Sequence, residues 1–232
     1  MTLIGDLVAF LTTWSNWTGS RGLFALGANQ LLVSAVAVTA AVVLAVPIGL
    51  VIGHVRRGAA ATAGVANIGR ALPSFAILVL AFSVFSQWGR GLSIWPTAVA
   101  LTLLAIPPLL TNTITGVGEV DPEVRSAAEA AGMRWHQVLW RVEAPLAMPL
   151  VFTGLRVSAT QVVATATLGA WVGFQCLGTL IFEGFAQQDD TRILAGAVLV
   201  SVLTIITDVA IGRLARRSQR WAPSSDVRAI DA

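Results

Sequence analysis

Long apolar runs alternate with short polar segments along this chain, and the lengths of the runs set its architecture. Five of them, 29–52, 65–85, 94–117, 150–173 and 193–214, are long enough to cross a bilayer. A hydrocarbon core of about 30 Å takes roughly 20 helical residues. The pattern predicts an all-α integral membrane protein with about five transmembrane helices. Pro47, Pro73, Pro96, Pro107 and Pro108 fall inside or at the ends of the runs. Neighbouring helices can satisfy the carbonyls that such prolines free. The Pro107-Pro108 pair is expected to break or kink the third run.

Three parts follow from this spacing. Residues 1–28 form an amino-terminal segment, 29–214 the membrane domain with a polar loop at 119–145, and 215–232 a carboxyl-terminal tail. The first part has a short apolar stretch, Leu3 to Leu11, followed by Trp14, Asn16, Trp17 and Thr18. It has no basic leader, which argues against a cleaved signal peptide. An interfacial segment with tryptophans at headgroup depth fits better.

Composition narrows the chemistry. Charged residues make up only 12% of the chain, against about 25% in soluble domains, so a water-facing globular surface is excluded. Every basic residue is arginine. Without lysine there is no P-loop for ATP and no Schiff-base nucleophile. Cys176 is the single cysteine, which excludes an internal disulfide and metal sites built from cysteine clusters. His54 and His136 lie near predicted membrane surfaces and read as interfacial polar residues. A formal charge of +3, with arginines flanking apolar runs, argues against nucleic acid as a partner.

The arginines also orient the chain. Arg56 and Arg57 follow the first run, Arg125, Arg134 and Arg141 lie between the third and fourth, and Arg213, Arg216, Arg217 and Arg220 follow the fifth. The other side carries Arg21, Arg90 and Arg192. The positive-inside rule then places the amino terminus outside, the carboxyl terminus in the cytoplasm, and the 119–145 loop on the cytoplasmic side.

That loop is a polar island holding Asp121, Glu123, Glu129 and Glu143. Asp121-Pro122 reads as an N-cap with proline at the first helical position. Small residues follow to Ala131, Gly132 is a natural stop, and a second short helix from Arg134 to Glu143 is expected to end before Pro145. A helix faced with Ala127, Ala128, Ala130 and Ala131 allows close backbone approach, which suits insertion into a groove on a partner.

These residues resemble a known pattern, the cytoplasmic E-A-A-x-x-x-G-x9-I-x-L-P loop of permease subunits of binding-protein-dependent ABC importers. Ala127, Ala128, Gly132, Val142 and Pro145 match its spacing, while Ser126 replaces the glutamate and Ala144 the leucine. Asn67 to Ser74, Thr165 to Leu168 with Gly173, Gly178 to Phe182 and Leu194 to Ala197 are similar to osmoprotectant permeases for glycine betaine, carnitine and choline. Methionine and other amino-acid permeases are near relatives. Where the osmoprotectant branch has a glycine pair, this chain has Phe174-Gln175-Cys176.

The resemblance implies a type I importer fold with a cytoplasmic coupling helix, in the bacterial cytoplasmic membrane. It implies no ATP site on this chain, with ATP-Mg used by two partner ATPase subunits. It further implies a second permease subunit, identical or homologous, and an extracytoplasmic solute-binding protein. Coupling to the ATPase falls to Ser126, Ala127, Ala128, Glu129, Gly132, Arg134 and Pro145, with Glu123 or Glu129 as substitutes for the missing glutamate.

Candidate pathway residues are Arg70, Pro73, Ser74, Asn112, Thr165, Thr167, Trp171 and Asp208. Ionisable residues at membrane depth are functional by default. Arg70 and Arg156 can equally snorkel from helix ends, and Asp208 can pair with an arginine such as Arg213. Asn112, Thr160, Gln161, Thr165 and Thr167 either line a pore or bond helices together. Most of the eight tryptophans fall near the two interfaces and read as an aromatic belt, not as a cage for a quaternary ammonium. A non-transporting anchor explains the spans but not the spaced loop.

Overall fold

A computed structural model describes residues 3–55, 64 and 73–219. After α1 (Leu3–Thr12) and a 3-10 turn at Trp14–Asn16 come α2 (Leu23–His54), α3 (Ser74–Gln87) and α4 (Ile94–Gly118). The polar loop holds α5 (Pro122–Ala130) and α6 (Trp135–Val138), then a π-helical turn at Leu139–Glu143. Next are α7 (Ala144–Thr165), a 3-10 stretch at Ala166–Val172, α8 (Gly178–Gln187) and α9 (Asp190–Gln219).

Among the described residues, four helical segments are long and apolar enough to span a membrane: Leu23–His54, Ile94–Gly118, Trp135–Val172 and Asp190–Arg216. They correspond to the first, third, fourth and fifth apolar runs. The second run is described from Pro73 on, as α3, 14 residues long; residues 65–72, with Arg70 among them, lie outside the described residues, as do Arg56, Arg57, Arg220 and Trp221.

The core is the contact of α2 with α4, flanked by α7. Val33, Ala37, Ala41 and Ala45 of α2 meet Ala98, Leu101, Ala105 and Leu109 of α4, with Val162 and Ala166 closing the third side. Small residues let the backbones approach where no hydrophobic drive exists between helices in lipid. Glycine is needed at two crossings. A Cβ on Gly53 would lie 2.6 Å from Val117 Cβ, and one on Gly154 would lie 2.8 Å from Asn112 Cβ.

Three expectations need correction. Of the break or kink expected in the third run, the break is absent: α4 is continuous through Pro107 and Pro108. Flanking helices α2 and α7 hold it along its length, and Ser158 of α7 donates to Ala105 O at 2.9 Å, just before the prolines. The first span begins at Leu23, not near Asn29, because Leu23 and Leu26 pack on Leu177, Leu180 and Val200. Last, the second loop helix does not end before Pro145. It passes through the π turn directly into α7, where Pro145 occupies the first turn and its missing N–H does no harm.

Candidate functional site

The polar loop is built by local chemistry. Asp121 accepts a hydrogen bond from Glu123 N–H at 2.8 Å, and Pro122 opens α5. Its other end closes in a Schellman arrangement: Gly132 N–H donates to Glu129 O at 2.9 Å and Met133 N–H to Ala128 O at 3.2 Å. Gly132 sits at φ +84°, the left-handed region that a side chain disfavours, in open space. Arg134 N–H then donates to Gln137 Oε1 at 2.8 Å to start α6.

No residue of α5 is buried. Ser126, Ala127, Glu129, Gly132 and Arg134 are exposed, as is Pro145, and Ala128 is half-buried. Of the seven sequence-predicted coupling residues, six are exposed.

What fastens this exposed helix to the bundle is a cluster that sequence reasoning missed. Glu143, at the end of the π turn, is 1% exposed. Its Oε2 lies 2.6 Å from His54 Nδ1 at the end of α2, and its Oε1 lies 3.4 Å from Arg125 Nη1 of α5. Arg125 also donates to His54 O at 2.9 Å and to Glu129 Oε1 at 3.0 Å. The guanidinium thus caps the carbonyl end of α2, where a cation is favoured. A buried carboxylate is stable only with such partners. The available signal was Glu143 itself, an acid inside the I-x-L-P part of the pattern between Val142 and Ala144. Glu129 pairs with Arg125 and stays half exposed, and Glu123 is exposed as well.

Among the described residues, the candidate pathway residues lie at separate places. Ser74 and Thr165 line a small cavity of about 10 Å³ with Thr97 and Gly169, about the space of one water. Pro73 is exposed beside it at the start of α3. Trp171 is 50% exposed and meets Phe75 edge to face, with ring centroids 5.0 Å apart. Asn112 donates to Pro108 O of its own helix at 2.8 Å and sits at the α4–α7 crossing. Thr167 donates to Ala164 O at 2.9 Å.

Asp208 takes Arg156 of α7 as its partner, not Arg213: Arg156 Nε lies 2.6 Å from Asp208 Oδ1, and Nη2 contacts Oδ2. Arg156 is therefore paired across two helices, and does not snorkel to a helix end. A second buried connection was also unforeseen. Gln30 of α2 is fully buried, donates to Val163 O at 2.9 Å and accepts from Leu177 N–H at 3.0 Å. It ties α2 to both sides of the 3-10 stretch. Outside this site, Trp14, Trp88, Trp95, Trp135 and Trp140 are exposed.

A family model described as the inner membrane component of binding-protein-dependent transport systems matches residues 41–220. The glycine betaine/carnitine/choline transport system permease OpuCB of Bacillus subtilis is 32% identical over 92% of this chain and 94% of its own. The osmoprotectant import permease OsmW of Salmonella typhimurium is 31% identical over 80% and 86%. The choline transport system permease OpuBB of Bacillus subtilis is 33% identical over 82% and 85%. Among solved structures, an inward-facing methionine ABC transporter, MetNI, superposes with a TM-score of 0.73 at 21% identity, over 82% of this chain and 93% of that one. An amino acid ABC transporter with histidines gives 0.69 at 16% identity, over 95% and 99%. The fold is that of type I ABC importer permeases, and the chain belongs to the family of binding-protein-dependent transport system inner membrane components.

Proposed function

We propose that this chain is the membrane subunit of an ATP-driven importer for small quaternary ammonium osmoprotectants such as glycine betaine, choline or carnitine. The observation that carries the substrate class is the set of osmoprotectant permeases 31–33% identical over four-fifths or more of the chain. An amino-acid importer is the second reading. Its support is the shape of the methionine and amino-acid transporters, at 21% and 16% identity, and likeness at that level speaks for fold alone.

In this reading two partner ATPase subunits bind the exposed face of α5, and hydrolyse the ATP-Mg. A second permease subunit completes the pathway, and a binding protein outside delivers solute. The protein lies in the bacterial cytoplasmic membrane with its amino terminus outside and the loop and carboxyl terminus in the cytoplasm, as the arginine distribution favours. Movement of α5 is passed through Arg125 to Glu143 and His54, and so to α7 and α2 together. Alternation between inward-open and outward-open states is then rigid-body gating driven by differential contacts in each state.

The test is reconstitution with the ATPase and binding protein in liposomes and measurement of labelled solute uptake. ATP-dependent accumulation of a quaternary ammonium solute is expected. Accumulation of methionine alone, or uptake that persists without the ATPase, would rule the reading out.

A further inference from the structure

Lipid solvates charge poorly, so a charged side chain inside a span faces protein or water. Arg156 lies within the segment Trp135–Val172 and Asp208 within Asp190–Arg216, both of span length. The two side chains pair through both ends of the fork, yet stay 47% and 31% exposed on the outside of the bundle.

The pair stands in a polar stripe. Thr153, Arg156, Thr160, Ala164 and Thr167 recur at intervals of three or four along α7 and the turn after it, which places them on one helix face. Thr153 and Ala164 are exposed, and Thr160 reaches Asp208 Oδ1 at 3.5 Å. An uncovered stripe with this chemistry is unlike the rest of the exposed bundle surface, where Ile206, Val202 and Leu44 are typical.

Resting on the transport reading above, we propose that this stripe lines the water-filled solute path, and that Arg156 and Asp208 read the charges of the solute. The class of ligand is a small molecule bearing a quaternary ammonium, with or without a carboxylate. Asp208 faces the cation as it passes. Arg156 faces the carboxylate of a zwitterion, a group that a bare cation does not bring. The pair is neutral as a unit, so it sets no net barrier to either.

The experiment uses the full complex, with ATPase and binding protein, in liposomes. Thr153→Cys and Ala164→Cys are treated with a membrane-impermeant methanethiosulfonate, with and without ATP, beside Ile206→Cys. Ile206 is exposed and two residues from Asp208, so it lies on the other side of α9. The native Cys176 is fully buried and adds little background. The stripe cysteines are expected to react at least about fivefold faster than Ile206→Cys in one nucleotide state.

A second arm measures glycine betaine against choline uptake. Arg156→Gln should lower that ratio at least about threefold, and Asp208→Asn should raise it by as much. Stripe cysteines as unreactive as Ile206→Cys in every state, or ratios that stay put while both rates fall, overturn the assignment while the transport reading stands. Failure of the unaltered complex to take up either solute with ATP overturns both.

Discussion

His54 Nδ1 and Glu143 Oε2 lie 2.6 Å apart although 89 residues separate them in sequence. The contact joins the end of α2 to the π turn before α7, and Arg125 of the exposed loop helix completes it from the third side. For a side chain as buried as Glu143 these partners replace the water it gives up. Removing one member of a buried ion pair costs roughly 3–5 kcal/mol. Glu143→Ala is therefore expected to lower the thermal unfolding midpoint of the detergent-solubilised protein clearly, with Glu143→Gln intermediate because it keeps an acceptor. An alanine variant as stable as the parent would refute the structural role given to this carboxylate.

Arg125 is the place to test transmission. It is partly exposed, on a helix with no buried residue, so its loss leaves α5 able to fold and to meet a partner. Its loss does remove the one side chain that touches Glu129, Glu143 and the His54 carbonyl at once. Arg125→Ala should keep ATPase subunits bound while solute moved per ATP hydrolysed falls about tenfold, the effect of about 1.4 kcal/mol. Unchanged stoichiometry of transport would place the transmission elsewhere.

Gly132 tests the turn that ends α5. Its φ of +84° is strained for a side chain, but a Cβ there meets nothing within 4 Å. Only backbone preference is at stake, about 1–2 kcal/mol for most residues and less for asparagine. Gly132→Val should weaken co-purification of the ATPase and Gly132→Asn should largely preserve it. Equal loss in both variants would point to the space around Gly132, not to its conformation.

The parts of this fold that could be read beforehand are those written in short-range signals. The Asp121 cap, the start at Pro122 and the Gly132 stop each depend on residues within a few positions, and four apolar runs became span-length helices. What could not be read are partners distant in sequence. Gln30 and Val163 are separated by 133 residues, Arg156 and Asp208 by 52. No periodicity reports which helices pack together. The continuity of α4 across Pro107-Pro108 belongs to the same class, because neighbouring helices, not the local sequence, decide whether a proline breaks a membrane helix.

Gln30 is the most informative of these distant contacts to remove. Its amide satisfies Val163 O and Leu177 N–H, two backbone groups around a 3-10 stretch where the regular helical ladder is interrupted. Gln30→Leu keeps the volume roughly but leaves both groups unpaired in the interior. Each such group costs about 1–3 kcal/mol. A loss of several kcal/mol is expected, seen as a lower unfolding midpoint and faster proteolysis near α8. A leucine variant with parental stability would mean that water reaches these groups and that the clamp is dispensable.

Cys176 offers a test by pH. The side chain is fully buried between the 3-10 stretch and α8, with Sγ 3.5 Å from Ala166 O. Burial disfavours the thiolate and pushes the thiol up to about 11 from an ordinary value of 9.0, against smaller opposing effects of backbone hydrogen bonds from Gly178 and Thr179. The thiolate is the reactive form. Because the acid is weakened, the neutral thiol dominates at pH 8 and through pH 9, where an exposed cysteine would already be half ionised. Alkylation by iodoacetamide should therefore be slow across that range in the folded protein and rise only toward pH 11, while the denatured chain reacts readily at pH 9. Mass spectrometry of the labelled peptide reads both states. Rapid labelling of the folded protein at pH 8 would contradict the buried placement of Cys176 and of the α7–α8 connection around it.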